Sequence, residues 1–224
     1  MSGAGRKRVG ASILSCWQLP HAHPALCAAL GIDPAAVGAG RSLAVMTCDQ
    51  DDALYAALDH ATKMAAVEVV YARSLYAGSA HASGPLSGEV LAVLAGDEPE
   101  SVAQGVAAVR GALEGLFAFE AVGEGGVMVF AAAIGRVGPY LAAEAGVGVG
   151  ESLGYLIAPP TEAVVGLDAA LKAAQVRLAR FFGPPTETNF AGGYVTGTLD
   201  AVEAAARAFA DAVEAVAGDP RRGG

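Results

Sequence analysis

The chain repeats itself at an interval close to half its length, and this repeat constrains the fold more than any other feature. The segment from Leu58 to Val67 matches the segment from Leu167 to Val176 in its Leu-Asp pair, an alanine, a lysine and a valine. Upstream of each segment, Ser42–Met46 and Ser152–Leu156 have the apolar pattern of a short strand that enters a helix. Self-similarity at a fixed spacing indicates that one supersecondary unit occurs twice. The sequence therefore predicts two α/β copies, with a seam near Phe117 to Val122.

The downstream part of each copy follows the same order. Gly88–Leu94 and Gly192–Val195 are glycine-led apolar runs, which are typical of strands. Each is followed by an alanine-rich stretch with an acidic residue near its start, Ser101–Glu114 and Asp200–Ala217, as expected of helices. The order predicted for each copy is therefore strand, helix, strand or hairpin, strand, and helix. This order indicates an α/β fold of the α+β sandwich type.

Composition excludes several classes of protein. The chain has 224 residues, and 54% hydrophobic against 17% charged residues excludes a disordered chain. With 23 acidic and 14 basic residues the net charge is −9, so the chain is a poor binder of nucleic-acid phosphates. Three cysteines cannot form a disulfide scaffold, which favours a reducing, cytoplasmic setting.

The mean hydropathy of +0.44 raises the question of a membrane span. The apolar run after the basic N-terminus covers only Val9–Trp17, whereas a spanning helix needs about 20 apolar residues. Arg136 interrupts the apolar region from Val127 to Leu141. We therefore expect no membrane segment, and we expect the surplus apolar surface to lie in cores or in contacts of a symmetric assembly.

Two polar clusters and one separate glutamate stand out as candidate binding residues. Asp49-Gln50-Asp51-Asp52 lies where a strand meets a helix, and one aspartate is enough to cap a helix. Glu89 interrupts an apolar strand, where a charge needs a partner. Thr188-Asn189-Phe190 follows two prolines in the matching region of the second copy. Carboxylates, an amide, a hydroxyl and aromatic rings together suit a small cation that carries a hydroxyl group.

Evidence for an enzyme is weak by comparison. A P-loop and a Cys-x-x-Cys motif are both missing from the sequence. The spacing of Cys16, His21, His23 and Cys27 matches no standard zinc pattern. Gly146, Gly148 and Gly150 resemble a dinucleotide loop but lack the helix and acidic residue that should follow. We expect no catalytic residues.

Four blocks of the sequence resemble a known family, the tandem-domain shell proteins of ethanolamine-utilisation bacterial microcompartments. The blocks are Thr62–His81, Ser87–Leu91, Tyr155–Pro160 with Asp168–Lys172, and Pro184–Phe190. The resemblance runs from about Ala11 to Asp219 and is weaker before Arg41 and between Leu113 and Met128. It implies two circularly permuted microcompartment domains, at residues 11–118 and 119–219. From the sequence itself we expect disordered tails at residues 1–10 and 220–224.

The resemblance also implies a function. Three chains would form a pseudo-hexameric homotrimer, a tile of a polyhedral shell with a gated central pore, in contact with other shell proteins. Small channels in each subunit would bind ethanolamine, and bound ethanolamine would favour the closed pore. The ethanolamine contacts carry over to Asp51, Asp52, Phe119, Thr188, Asn189 and Phe190.

Three details of that assignment stay open. Phe119 lies where the resemblance requires a gap, so Phe117 is the alternative. Phe190 replaces a tyrosine of the family, which removes one hydroxyl. Glu89 corresponds to a glutamate linked to zinc in the family, so zinc is a possible ligand there, although no cofactor is required.

Two other functions remain as alternatives. A shell protein that carries a metal or cluster would have only Cys48 and the His81 loop to hold it, and neither makes a ligand set. A shell protein of a compartment for another amino alcohol or for propanediol would share the same fold. Asp51, Asp52 and Glu89 favour a cationic solute over a neutral diol.

Overall fold

The computed structural model describes residues 5–32, 41–75, 83–183 and 189–221. The strands are β1 Lys7–Val9, β2 Ile13–Leu19, β3 Ser42–Cys48, β4 Glu68–Ser74, β5 Val90–Gly96, β6 Phe119–Val122, β7 Val127–Ile134, β8 Ser152–Ala158, β9 Arg177–Phe182 and β10 Ala191–Gly197. The helices are α1 Pro24–Ala29, α2 Asp51–Met64, α3 Pro99–Gly115, α4 Pro139–Ala145, α5 Pro160–Ala173 and α6 Leu199–Gly218.

The chain forms two compact units. The N-terminal unit consists of Ala11–Phe117 together with Gly138–Tyr140. Its antiparallel sheet has the strand order β2-β3-β5-β4, and α2 and α3 pack against each other. The core is made of apolar side chains of β3, β5 and the two helices, because alternate strand residues and one helix face point inward; it includes Leu54, Leu94 and Val109. Leu43 lies in a separate cluster with Cys27 and Ile32.

The C-terminal unit consists of Met1–Gly10, Ala118–Val137 and Leu141–Gly224. Its sheet has the order β1-β6-β7-β8-β10-β9, and α5 and α6 pack against each other. Phe209 of α6 is fully buried in a core with Leu156, Val195 and Leu167. The Cβ of an alanine at Gly166 would lie 2.7 Å from the Phe209 ring, so the glycine makes room for that ring.

The structure confirms the repeat. The strand order β7-β8-β10-β9 reproduces β2-β3-β5-β4, and the helices α4, α5 and α6 occupy the same places in chain order as α1, α2 and α3. The turns match as well, since Gly31 after α1 and Gly146 after α4 both have a left-handed φ, +80° and +66°. The predicted strands and helices are therefore present, with ends that differ by a few residues.

The N-terminus departs from the prediction. The sequence predicts a disordered tail at residues 1–10, but Lys7–Val9 forms β1 and pairs with β6 in the register Val9↔Phe119. Arg6 is ion-paired with Asp211 and Glu214 of α6. The Lys7–Val9 segment is short and two of its three residues are basic, so it carries no local strand signal. Its strand partners lie more than 100 positions away in the chain.

Helix length bears on the membrane question. Among the residues described above, no helix is both long enough and apolar enough to cross a membrane.

Candidate ligand site

Acidic residues gather where β3 ends and α2 begins in the N-terminal unit. α2 begins at Asp51, and Gln50 is its N-cap without a side-chain cap bond. Asp51 and Asp52 occupy the first turn, where carboxylates complement the positive end of the helix dipole. Both side chains are buried, with 6% of their surface exposed. Burial of two adjacent carboxylates is costly unless donors or a cation accompany them.

Asp51 has donors on both carboxylate oxygens. Its Oδ1 accepts a hydrogen bond from the backbone N–H of Asp52 at 2.8 Å, and its Oδ2 accepts one from the Ser74 hydroxyl at 2.7 Å. The Tyr55 hydroxyl lies 2.6 Å from Ser74 Oγ, which extends the chain of hydrogen bonds. Sequence reasoning missed Ser74 and Tyr55, because no local signal shows that the end of β4 meets the start of α2.

Glu89 lies beside this turn. It precedes β5, which begins at Val90, so it does not interrupt the strand as the sequence predicts. Its backbone N–H donates to Cys48 O at 2.8 Å, and its carbonyl accepts from Leu75 N at 2.7 Å. Burial, followed by the charges of Asp51 and Asp49, raises the pKa of Glu89 above its usual value. The carboxylates of Glu89, Asp51 and Asp49 therefore interact electrostatically, and together they favour a bound proton or another cation.

Asp49 and Cys48 complete this end of β3. Asp49 Oδ1 accepts a hydrogen bond from the backbone N–H of Ser12 at 2.7 Å. This acidic residue of the cluster therefore has a structural role. Cys48 is buried, and desolvation raises the pKa of its thiol to about 12. A thiol that stays protonated is a poor metal ligand, so Cys48 does not support a metal-carrying shell protein.

The aromatic residues of the predicted site lie in the C-terminal unit. Phe119 of β6 is buried, and its ring centroid is 5.5 Å from that of Phe190 and 5.3 Å from that of Phe130. Phe117, the alternative, belongs to the N-terminal unit and packs edge-on against His60 at 6.5 Å. Phe119 is therefore in ring contact with the predicted Phe190.

Two predicted residues fall outside this description. Thr188 and His81 lie outside the described residues. Asn189 is exposed and Phe190 is half-buried.

The structure does not support the expectation of zinc. Among the residues with described positions, no group of three or more histidine, cysteine, aspartate or glutamate side chains is placed to hold a metal ion. Structural zinc sites are built mostly from thiolate and imidazole ligands, and the charged groups that act on Glu89 are the carboxylates of Asp51 and Asp49. The expectation of zinc at Glu89 is therefore unsupported, and so is a zinc at Cys16, His21, His23 and Cys27.

Comparison with known proteins gives a consistent answer. The microcompartment shell protein EutL of Clostridium perfringens is 45% identical over 210 residues, which cover 93% of this chain and 95% of that protein. EutL of Salmonella typhimurium is 45% identical over 181 residues, 80% of this chain and 83% of that protein. No family model matches the chain.

Solved structures agree with the sequence comparison. The crystal structure of EutL from Leptotrichia buccalis has a TM-score of 0.90 at 43% identity and covers 99% of this chain and 100% of that one. EutL from Clostridium perfringens has a TM-score of 0.91 at 43% identity, covering 97% and 98%. EtuB from Clostridium kluyveri, at 18% identity and a TM-score of 0.73, over 90% of this chain and 86% of that one, shares the fold alone.

Two α/β units that share a four-strand order, together with these relatives, define a bacterial microcompartment shell protein built from tandem permuted domains. Such a protein is a structural component of the shell and not an enzyme. Within that class, the chain belongs to the EutL family.

Proposed function

We propose that this shell protein works as a pseudo-hexameric homotrimer, a tile with a gated central pore whose edges contact other shell proteins. The observation that carries the proposal is the presence, in one chain, of two units that share a four-strand order, β2-β3-β5-β4 and β7-β8-β10-β9. Three such chains supply six copies of one fold, and six copies suit a flat hexagonal ring. Closed cyclic symmetry is the usual outcome when identical chains use one repeated contact.

The first prediction concerns the mass of the assembly. Light scattering behind a sizing column should give about 67 kDa, three chains of 22.2 kDa, or larger sheets built from that unit. A stable monomer or dimer at every concentration tested contradicts the trimer, and the pore proposal then has no basis.

We further propose that the small molecule bound by this tile is ethanolamine. Asp51 and Asp52 take the ammonium group, and Phe119, Thr188, Asn189 and Phe190 supply the other contacts that the family resemblance implies. The support is chemical: buried carboxylates at the start of α2 lie beside Glu89, which prefers a compensating positive charge. An ammonium donates three hydrogen bonds, and an aromatic face attracts a cation.

Ethanolamine would act on the pore by differential affinity. A ligand shifts an equilibrium between open and closed arrangements only by the ratio of its affinities for the two. A ligand with equal affinity for both shifts nothing, however tightly it binds. We therefore propose that ethanolamine binds the closed arrangement more tightly and increases its population.

Calorimetric titration tests the ethanolamine site. Asp52→Ala and Glu89→Gln should each weaken ethanolamine binding about 10- to 100-fold, because each removes a charged partner of the ammonium. Burial and the charges of Asp51 and Asp49 raise the pKa of Glu89, and a cation beside it favours the ionised carboxylate. The ethanolamine affinity should therefore fall as the pH is lowered, and it should fall less for Glu89→Gln.

Controls separate this site from general effects of charge. Glu100→Gln removes an exposed carboxylate from the first turn of α3 and should leave the affinity unchanged. Neutral 1,2-propanediol should not bind, whereas binding of the diol as tightly as ethanolamine favours a compartment for diols. Unchanged ethanolamine affinity in both Asp52→Ala and Glu89→Gln overturns the site assignment.

A further inference from the structure

A chain of two hydroxyl groups ends on the carboxylate of Asp51. Ser74 Oγ donates to Asp51 Oδ2 at 2.7 Å, and the Tyr55 hydroxyl lies 2.6 Å from Ser74 Oγ. A serine hydroxyl carries one hydrogen, and in Ser74 this hydrogen is directed at Asp51. The Tyr55 hydroxyl is therefore the donor to Ser74. The chain of hydrogen bonds has one direction, from Tyr55 through Ser74 to Asp51.

Two different elements of the N-terminal unit hold these hydroxyl groups in place. Tyr55 lies one helical turn after Asp51 on α2, so the two side chains share a face of the helix. The Tyr55 ring centroid is 6.3 Å from that of Tyr140, which belongs to the same unit. Ser74 is the last residue of β4 and pairs with the first residue of β5, which directly follows Glu89. The chain of hydrogen bonds therefore joins the start of α2 to the strand end beside Glu89.

The second copy of the fold does not have this network. Helices α2 and α5 are both 14 residues long, and the repeat aligns them from their first residues. The positions equivalent to Asp51, Tyr55 and Ser74 are Pro160, Val164 and Gly183. These three residues have no polar side-chain atom. The C-terminal unit nevertheless has the same four-strand order and packs the same pair of helices, so the fold does not require the network.

The residues of the network are also a costly choice for the fold alone. Asp51 is buried, and burial of a carboxylate costs free energy that Pro160 avoids in the other copy. Proline suits the first position of a helix, because its fixed φ matches the helix and its missing amide hydrogen has no partner there. A network that the fold does not need, and that ends on a carboxylate of the candidate ligand site, points to a role in ligand binding.

We propose that Ser74 and Tyr55 are positioning residues of the ethanolamine site, which hold the Asp51 carboxylate in the orientation that accepts the ammonium group. Both act through Asp51 and do not touch the ligand. A carboxylate that is already fixed by donors on both oxygens loses little side-chain freedom on binding, and this increases the affinity. The inference rests on the proposed ethanolamine site and adds two residues that the family resemblance does not include.

Removal of single hydroxyl groups tests the chain. Ser74→Ala should weaken ethanolamine binding about tenfold, because it deletes a hydrogen bond to a charged group. Tyr55→Phe should weaken it about threefold, because it deletes only the donor that polarises Ser74. The double variant should bind like Ser74→Ala, since Tyr55 is no longer connected to Asp51 once the serine hydroxyl is missing. Calorimetric titration measures the four affinities.

Ethylamine, which lacks the hydroxyl of ethanolamine, separates positioning from direct contact. Because Ser74 acts through the carboxylate that takes the ammonium, Ser74→Ala should weaken the binding of both amines by the same factor. A loss that is confined to ethanolamine means that Ser74 bonds the ligand hydroxyl directly, and it overturns the positioning role. Ser74→Thr keeps a hydroxyl on a branched side chain that suits a strand, and it should bind both amines like the wild type.

Ser152→Ala is the matched control, and the outcomes are distinct. Ser152 is also half-buried, and its hydroxyl donates to Gly135 O at 2.9 Å. This variant should lose stability like Ser74→Ala but keep its ethanolamine affinity. Unchanged affinity of Ser74→Ala, beside a wild type that binds ethanolamine, overturns the inference and leaves the site. Losses that add up in the double variant overturn the chain. A wild type that does not bind ethanolamine contradicts the proposed function instead.

Discussion

Replacement of Asp59 by alanine should lower the free energy of unfolding by about 3 kcal/mol, because it removes a buried charge with two partners. Asp59 Oδ2 accepts a hydrogen bond from Gly138 N at 2.7 Å and lies 3.2 Å from Lys63 Nζ. Without the carboxylate, the Gly138 amide loses its acceptor inside the protein and the lysine loses its counter-charge. For a chain of this size the melting temperature should fall by roughly 6–12 °C.

Glu203→Ala is the matched control for Asp59→Ala. Glu203 and Arg207 form an exposed ion pair four residues apart on α6, and such pairs contribute about 0.3–0.5 kcal/mol. Asp59→Asn should fall between the two, since it keeps an acceptor for Gly138 but loses the charge. Equal unfolding temperatures for Asp59→Ala and Glu203→Ala would show that the buried contact does not stabilise the unit.

Replacement of Gly88 by alanine should cause the second large loss. Gly88 has a left-handed φ of +64°, which costs an alanine about 1 kcal/mol. The added Cβ would also lie 2.2 Å from the carbonyl oxygen of Cys48, a backbone atom that accepts the Glu89 amide. Strand β3 and the residues before β5 must then separate. We expect a loss of about 3 kcal/mol or more, comparable to the largest effects of single substitutions.

The consequence should reach the ligand site, because Gly88 directly precedes Glu89. Ethanolamine affinity should fall together with the melting temperature, which calorimetry and thermal unfolding of the same sample measure. Gly84→Ala is the control, since a Cβ there meets no atom within 4 Å. A Gly88→Ala protein as stable as Gly84→Ala would contradict the close approach of the two backbones.

Sequence reasoning reached part of the candidate site. The doubled aspartates at the start of α2 stand out because one carboxylate is enough for the helix terminus. Ser74, which donates to Asp51, leaves no trace in the sequence, since its position depends on the end of β4 returning to the start of α2. The ring contact between Phe119 and Phe190 illustrates the same limit, since the two residues lie about 70 positions apart in the chain.

The sequence by itself determined the two-copy architecture, because helix and strand periods, glycines and prolines act over a few residues and recur in both halves. It could not determine which residues of each copy are buried by other segments of the chain. Asp59 and Asp168 stand in matching Leu-Asp and lysine contexts, yet Asp59 is fully buried and Asp168 is exposed. The difference arises from Gly138–Tyr140, about 80 positions after Asp59 in the chain. Burial depends on which distant segment packs against a residue, and only the tertiary structure decides that.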